Sequence, residues 1–261
     1  MRMDRDEFIE TVHRLCRPRN YLEIGVDRGF SLALSRTRSI GVDPDFRITV
    51  EVECPLKLVK LTSDEFFARP DALSWFPEGV VDLTLIDGLH LFEFGLRDFL
   101  NSEKISAPAS VILIDDIFPR SVAEAARVRR TRDWTGDIYK LAAVLERYRQ
   151  DLTVIPVDTS PTGILLVLDL DPGSTVLAAG YGEIVAEHAV TDTDSVPREV
   201  LHRVKAADPR RVLSAPLWQR LPAARAVGEP PGAARELRAL LGTARFELSS
   251  PPDAPWPPRS A

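Results

Sequence analysis

Short apolar runs alternate with amphipathic stretches over the first 170 or so residues. Residues 4–17 place Phe8, Val12 and Leu15 on one face at helical spacing. "NYLEIGV" then reads as a strand, and "DRGFSLALSR" as a loop turning into a helix. "SIGVDPD" is a second strand, ending at Asp43, and "LKLVKLTS" a third, followed by helical "DEFFAR". "VDLTLI" is the fourth; it ends at Asp87 and leads into the helix "LFEFGLRDFLNSEK". "SVILIDD" is the fifth and ends at Asp115 and Asp116. A helical region spans roughly 120–149, broken at "DWTGD". "LTVIPVD" and "GILLVLDL", joined across "TSPT", read as a hairpin.

Strands alternating with helices predict an α/β, Rossmann-like, doubly wound sheet covered on both faces. Right-handed crossovers carry the strand ends, and the loops after them, to one edge. The pattern divides the chain into an N-terminal helix (1–20), the sheet domain (21–171), a helical extension (172–248) and a disordered tail (249–261). The extension holds two helices within 174–206 and one at "AARELRALLGTA"; the tail is rich in proline.

Composition narrows the function. A net charge of −6 argues against a general nucleic-acid or anionic-membrane binder. No apolar run approaches the ~20 residues of a bilayer span, and "MRMDRDEFIE" lacks a secretory signal's apolar centre, so a cytoplasmic protein is expected. The two cysteines, Cys16 and Cys54, have no metal-site spacing and are read as reduced and inert.

The strand ends carry the candidate chemistry. "LEIGVDRGFS" sets Glu23, Gly25 and Gly29 in an E-x-G-x-x-x-G pattern, where glycines let the backbone turn tightly and approach a ligand. Neither the dinucleotide fingerprint nor the phosphate-cradling glycine loop is present. Asp43, at the next strand end, is placed to accept from a ribose diol. This combination resembles the class I S-adenosylmethionine-dependent methyltransferases, whose fold has seven strands with the last antiparallel. The resemblance implies that Gly25 and the loop through Gly29 to Ser31, with Glu23, hold the methionine part of S-adenosylmethionine. It implies Asp43 on the ribose, and Ser63 and Asp64 near the adenine.

In that fold the fourth and fifth strands are neighbours, so Asp87, Asp115 and Asp116 converge where the methyl group points. Three unpaired carboxylates repel one another, and a divalent cation relieves this; oxygen ligands suit Mg²⁺ first, then Mn²⁺ or Ca²⁺. Such an ion aims and acidifies an acceptor hydroxyl, and His90 is the natural base. "DGLH" at 87–90 and "DD" at 115–116 resemble the metal-dependent O-methyltransferases of the macrocin and mycinamicin sugar type (methyltransferase family 24-like). That likeness implies Asp87, Asp115 and Asp116 as metal ligands, His90 as base, and a sugar or natural-product intermediate as the hydroxyl acceptor. Lys140, in "WTGDIYK", is a second candidate base by analogy with catechol-type enzymes, or merely an ion-pair partner of Asp137. The arginines of "RVRRTRD" read as a solvated helix face, Asp98 as the exposed side of its helix, and Trp75, Trp134 and Phe118 as mouth or packing residues. Two rival readings stand: a metal-independent methyltransferase using His90, and a non-catalytic S-adenosylmethionine-binding accessory protein. A homo-oligomer through the C-terminal extension is also expected.

Overall fold

The computed structural model describes residues 2–189 and 195–228. Seven strands form one sheet: β1 (Asn20–Ile24), β2 (Arg38–Val42), β3 (Leu56–Val59), β4 (Val81–Ile86), β5 (Ser106–Asp115), β6 (Thr153–Val157) and β7 (Ile164–Leu168). Their order is β3-β2-β1-β4-β5-β7-β6, with β7 antiparallel to both its neighbours. This is the class I methyltransferase arrangement the sequence resembles. Strands β1, β4 and β7 are buried at every position; β7 is apolar throughout, while β1 and β4 also bury the polar Asn20, Glu23, Asp82 and Thr84.

One face of the sheet packs on α2 (Ser63–Phe67), α3 (Phe92–Lys104), α4 (Lys140–Tyr148), α5 (Val176–Ala179), α6 (Tyr181–His188) and α7 (Arg198–Leu201). The other packs on α1 (Arg5–Cys16), a 3-10 turn (Leu32–Leu34), α8 (Pro209–Leu213) and α9 (Leu217–Val227). Asp4 starts α1 by accepting from the Asp6 amide at 2.9 Å, and Phe8 and Val12 go to the core as the periodicity requires. Among the described residues, no helix is long and apolar enough to cross a membrane.

Three expectations change. The helix expected in "DRGFSLALSR" is only the 3-10 turn. Of the thirteen residues between β1 and β2, the seven of 25–31 form the glycine loop, leaving too few for a crossover helix. Residues 120–139 contain turns rather than helix: Arg127 reaches out to Glu93, and Gly136, at φ +53°, packs on the His90 backbone. The C-terminal region contributes α9, which periodicity did not mark; it lays Leu217, Trp218 and Leu221 against the core beside β5. The helix expected at "AARELRALLGTA" and the disordered tail expected at 249–261 lie outside the described residues.

Candidate active site

The glycine loop is built by close approach of chains. The Gly25 amide donates to the Val42 carbonyl at 2.9 Å, and the Asp87 amide to the Ile24 carbonyl at 2.8 Å. Gly25 has φ +87°, and a Cβ there would overlap the Asp87 carbonyl, so only glycine fits. Asp43 ties the loop down: one oxygen accepts from the Val26 and Asp27 amides at 3.0 Å each, the other from the Asp45 amide at 2.6 Å. A carboxylate offers about four acceptor sites, so one remains for a ligand hydroxyl.

Glu23 lies behind this loop rather than in it. It is fully buried, and accepts from the Tyr21 hydroxyl at 2.6 Å and the Ser31 hydroxyl at 2.9 Å. Burial raises it to about 7 despite those two bonds. Its expected contact with the cofactor is corrected to a supporting one: it braces Ser31 from below. Gly29, at φ +84°, donates its amide to the Val26 carbonyl at 2.8 Å and closes the turn.

A cavity of about 650 Å³ opens beside the loop. Gly25, Ser31, Asp43, Ser63, Asp64, Asp87 and His90 all border it. Asp98 borders it too, and is buried instead of exposed; burial raises its carboxyl to about 6, with Ser63 as a hydrogen-bond partner. Asp64 is held by Arg97 through both oxygens, at 2.9 and 2.7 Å. Phe30 and Leu89, both exposed, give the rim an apolar character.

The ends of β4 and β5 meet as expected, and a fifth group joins them. Arg5, the first residue of α1, reaches Asp87 with one nitrogen and Asp115 with another. The other Asp115 oxygen accepts from the Asp116 amide at 2.9 Å. His90 sits on the far side: Nε2 is 3.3 Å from Asp87, Nδ1 is 3.1 Å from Asp116, and Nδ1 donates to the Trp134 carbonyl at 2.8 Å. The Trp134 ring stacks on the imidazole with centroids 5.6 Å apart. Asp116 adopts φ +65°, a costly conformation for a side-chain-bearing residue, and this turns its carboxylate toward His90.

The electrostatics follow from burial and pairing. Burial would lower His90, but the hydrogen bond to Asp87 and the charge of Asp116 override it and lift the imidazole to about 9. Burial pushes Asp87 up, while Arg5 and His90 pull it below the usual carboxylate range. Burial raises Asp115 to about 7, with Arg5 opposing and the two neighbouring carboxylates adding.

The expected metal triad meets this arrangement poorly. Arg5, a fixed cation, bridges Asp87 and Asp115 where a shared ion would bind. Among the described residues, the grouping with metal-ligand geometry is Asp87, His90 and Asp116, whose ligand atoms lie within 4.8 Å of one another. Its histidine is the imidazolium-favouring His90.

Lys140 is not among the residues bordering the cavity. Its ammonium donates to Asp137 at 2.8 Å and to the His188 carbonyl at 2.8 Å. Asp137 also accepts from the Phe92 amide at 2.8 Å, capping α3, whose own cap residue has no side-chain bond. Lys140 is therefore corrected from candidate base to ion-pair residue. Arg127 leaves the expected solvated face and pairs with Glu93 and Asp137, while Arg129 reaches the cavity. Trp75 packs under Arg38, and Phe118 is buried beneath Arg203.

A family model described as a methyltransferase domain matches residues 22–117, from β1 through the acids that end β5. The matched stretch contains the glycine loop, Asp43, His90 and all three carboxylates, whereas Arg5 and Trp134 come from outside it. No curated protein matches the chain. Among solved structures, an O-methyltransferase from Bacillus cereus in complex with S-adenosylhomocysteine is 17% identical, with 62% of this chain and 80% of that one covered, at a TM-score of 0.43. TomG, an O-methyltransferase of tomaymycin synthesis from Streptomyces achromogenes solved with S-adenosylmethionine, is 17% identical, with coverage of 64% and 79% and a TM-score of 0.45. The methyltransferase PaMTH1 of Podospora anserina, solved with S-adenosylhomocysteine, is 14% identical, with coverage of 64% and 78% and a TM-score of 0.46. These overlaps are loose, and the strand order itself carries the fold.

Proposed function

We propose that the protein transfers the methyl group of S-adenosylmethionine to a hydroxyl of a small molecule, such as a sugar or natural-product intermediate, with His90 taking the proton. The observation that carries this reading is the meeting of the glycine loop and His90 in one cavity. S-adenosylmethionine supplies a sulfonium-bound methyl group that an attacking oxygen accepts, leaving S-adenosylhomocysteine. The chain's own residues bind, orient and deprotonate. Backbone groups of residues 25–28 and the remaining acceptor site of Asp43 hold the cofactor's polar parts. The carboxylates of Asp87 and Asp116 fix the imidazole from two sides, and Trp134 fixes its plane. Nδ1 is committed to the Trp134 carbonyl, so Nε2, which faces Asp87 at 3.3 Å, is the nitrogen an acceptor hydroxyl engages, by displacing that contact. Phe30 and Leu89, both exposed, offer apolar surface at the rim for the acceptor to cover.

The test is S-adenosylhomocysteine formation from S-adenosylmethionine across a panel of sugars and other hydroxylated small molecules. The wild type is expected to turn over with at least one acceptor. His90→Ala is expected to be slower by about 10²-fold or more while binding S-adenosylhomocysteine within a few-fold of wild type. Tight cofactor binding without turnover on any acceptor would favour a non-catalytic accessory protein instead.

A further inference from the structure

The carboxylate cluster poses a charge problem that the chain itself answers. Asp87, which borders the cavity, lies together with Asp115 and Asp116 behind it, all mostly buried. Unpaired, they would repel one another strongly in a low-dielectric setting. A guanidinium and an imidazole face them. Arg5 spans Asp87 and Asp115, while His90 spans Asp87 and Asp116.

Arg5 is held there by more than charge. Its amide donates to the Ser160 carbonyl at 2.9 Å, and the Ser160 amide donates to the Met3 carbonyl at 2.8 Å. The start of α1 is thus pinned to the β6–β7 loop. The same loop holds the acids: Thr162 bonds to Asp116, and its carbonyl accepts from the Phe118 amide at 2.6 Å. A guanidinium is a planar fork that can bridge two carboxylates and that stays charged at every working pH. A divalent ion placed on Asp87 and Asp115 would sit against this fixed positive charge.

We infer that Arg5 is a built-in counter-cation that stands in the place of a divalent metal, so that the catalytic centre positions Asp87 and Asp115 without one. This deepens the methyl-transfer reading and rests on it for the word catalytic. Arg5 acts through the two aspartates and is a positioning residue.

Mn²⁺ binding tests this, read by electron paramagnetic resonance on the full chain, with and without S-adenosylhomocysteine. Wild type is expected to show no specific Mn²⁺ site. Arg5→Met, which keeps the stem and removes the charge, is expected to bind Mn²⁺ at least ~10-fold more tightly, as three acids around an empty position would. Adding Asp87→Asn should abolish the gained site. Arg5→Lys, which keeps the charge, should gain none. Should Arg5→Met fail to fold, the wild-type titration decides alone. One Mn²⁺ per wild-type chain, lost in Asp115→Asn, would overturn the inference. A wild type that binds no S-adenosylhomocysteine would instead sink the methyl-transfer reading, whatever the Mn²⁺ result.

Discussion

At the scale of single residues, His90 determines how the site responds to pH. Its neighbours lift it to about 9, so near pH 7 only about one imidazole in a hundred is neutral. The base is the neutral form. Turnover should therefore climb about tenfold per pH unit from neutrality and level off near pH 9. Asp116→Asn removes one of the charges that raise the imidazole, so its plateau should begin at lower pH. A rate profile flat from pH 6 to 9 in the wild type would contradict His90 as the base. Most of this site was legible residue by residue. Gly25, Asp43, Asp87 and His90 sit at strand ends, where sequence places function. Arg5 was not foreseen, though it left a trace: a cation at the first position of a helix opposes the helix dipole and needs a local reason. Asp98 left a fainter trace. It lies one helical turn from Phe94 on α3, and both face the cavity.

Among the secondary-structure elements, the strands were readable because a sheet buried on both faces demands continuous apolar runs. The expected coverings failed where long-range contacts decide. Residues 120–139 read as helical, yet they fold against the loop after β4 and the start of α3, where Trp134 meets His90. Gly136 packs so closely on the His90 backbone that a Cβ there would overlap its carbonyl. Helix α9 escaped notice because its sequence includes Pro222 and lacks an amphipathic pattern. It nevertheless helps cover the face that a helix after the glycine loop would have covered. Trp218 is buried there, and its indole donates to the Val212 carbonyl at 2.8 Å. Trp218→Ala should cost about 3–5 kcal/mol of unfolding free energy, measured by chemical denaturation. A change under about 1 kcal/mol would mean that α9 is not part of the sheet's core.

For the molecule as a whole, the arrangement divides labour across one sheet edge. The strand ends of β1 and β2 hold the glycine loop and Asp43; those of β4 and β5 hold the acids and the base. Segments from outside residues 22–117 complete the site, with α1 supplying Arg5 and the chain after β5 supplying Trp134. Sequence spacing alone could not place them, since Arg5 is joined to Asp87 and Asp115, and Trp134 to His90, by tertiary contact rather than by any local pattern.

The central claim is that this cavity binds S-adenosylmethionine, with Asp43 as a ligand. Calorimetric titration of S-adenosylhomocysteine tests it most directly. One site per wild-type chain, weakened roughly 10- to 100-fold in Asp43→Ala, is the predicted result. No binding to the wild type would contradict the account at its root.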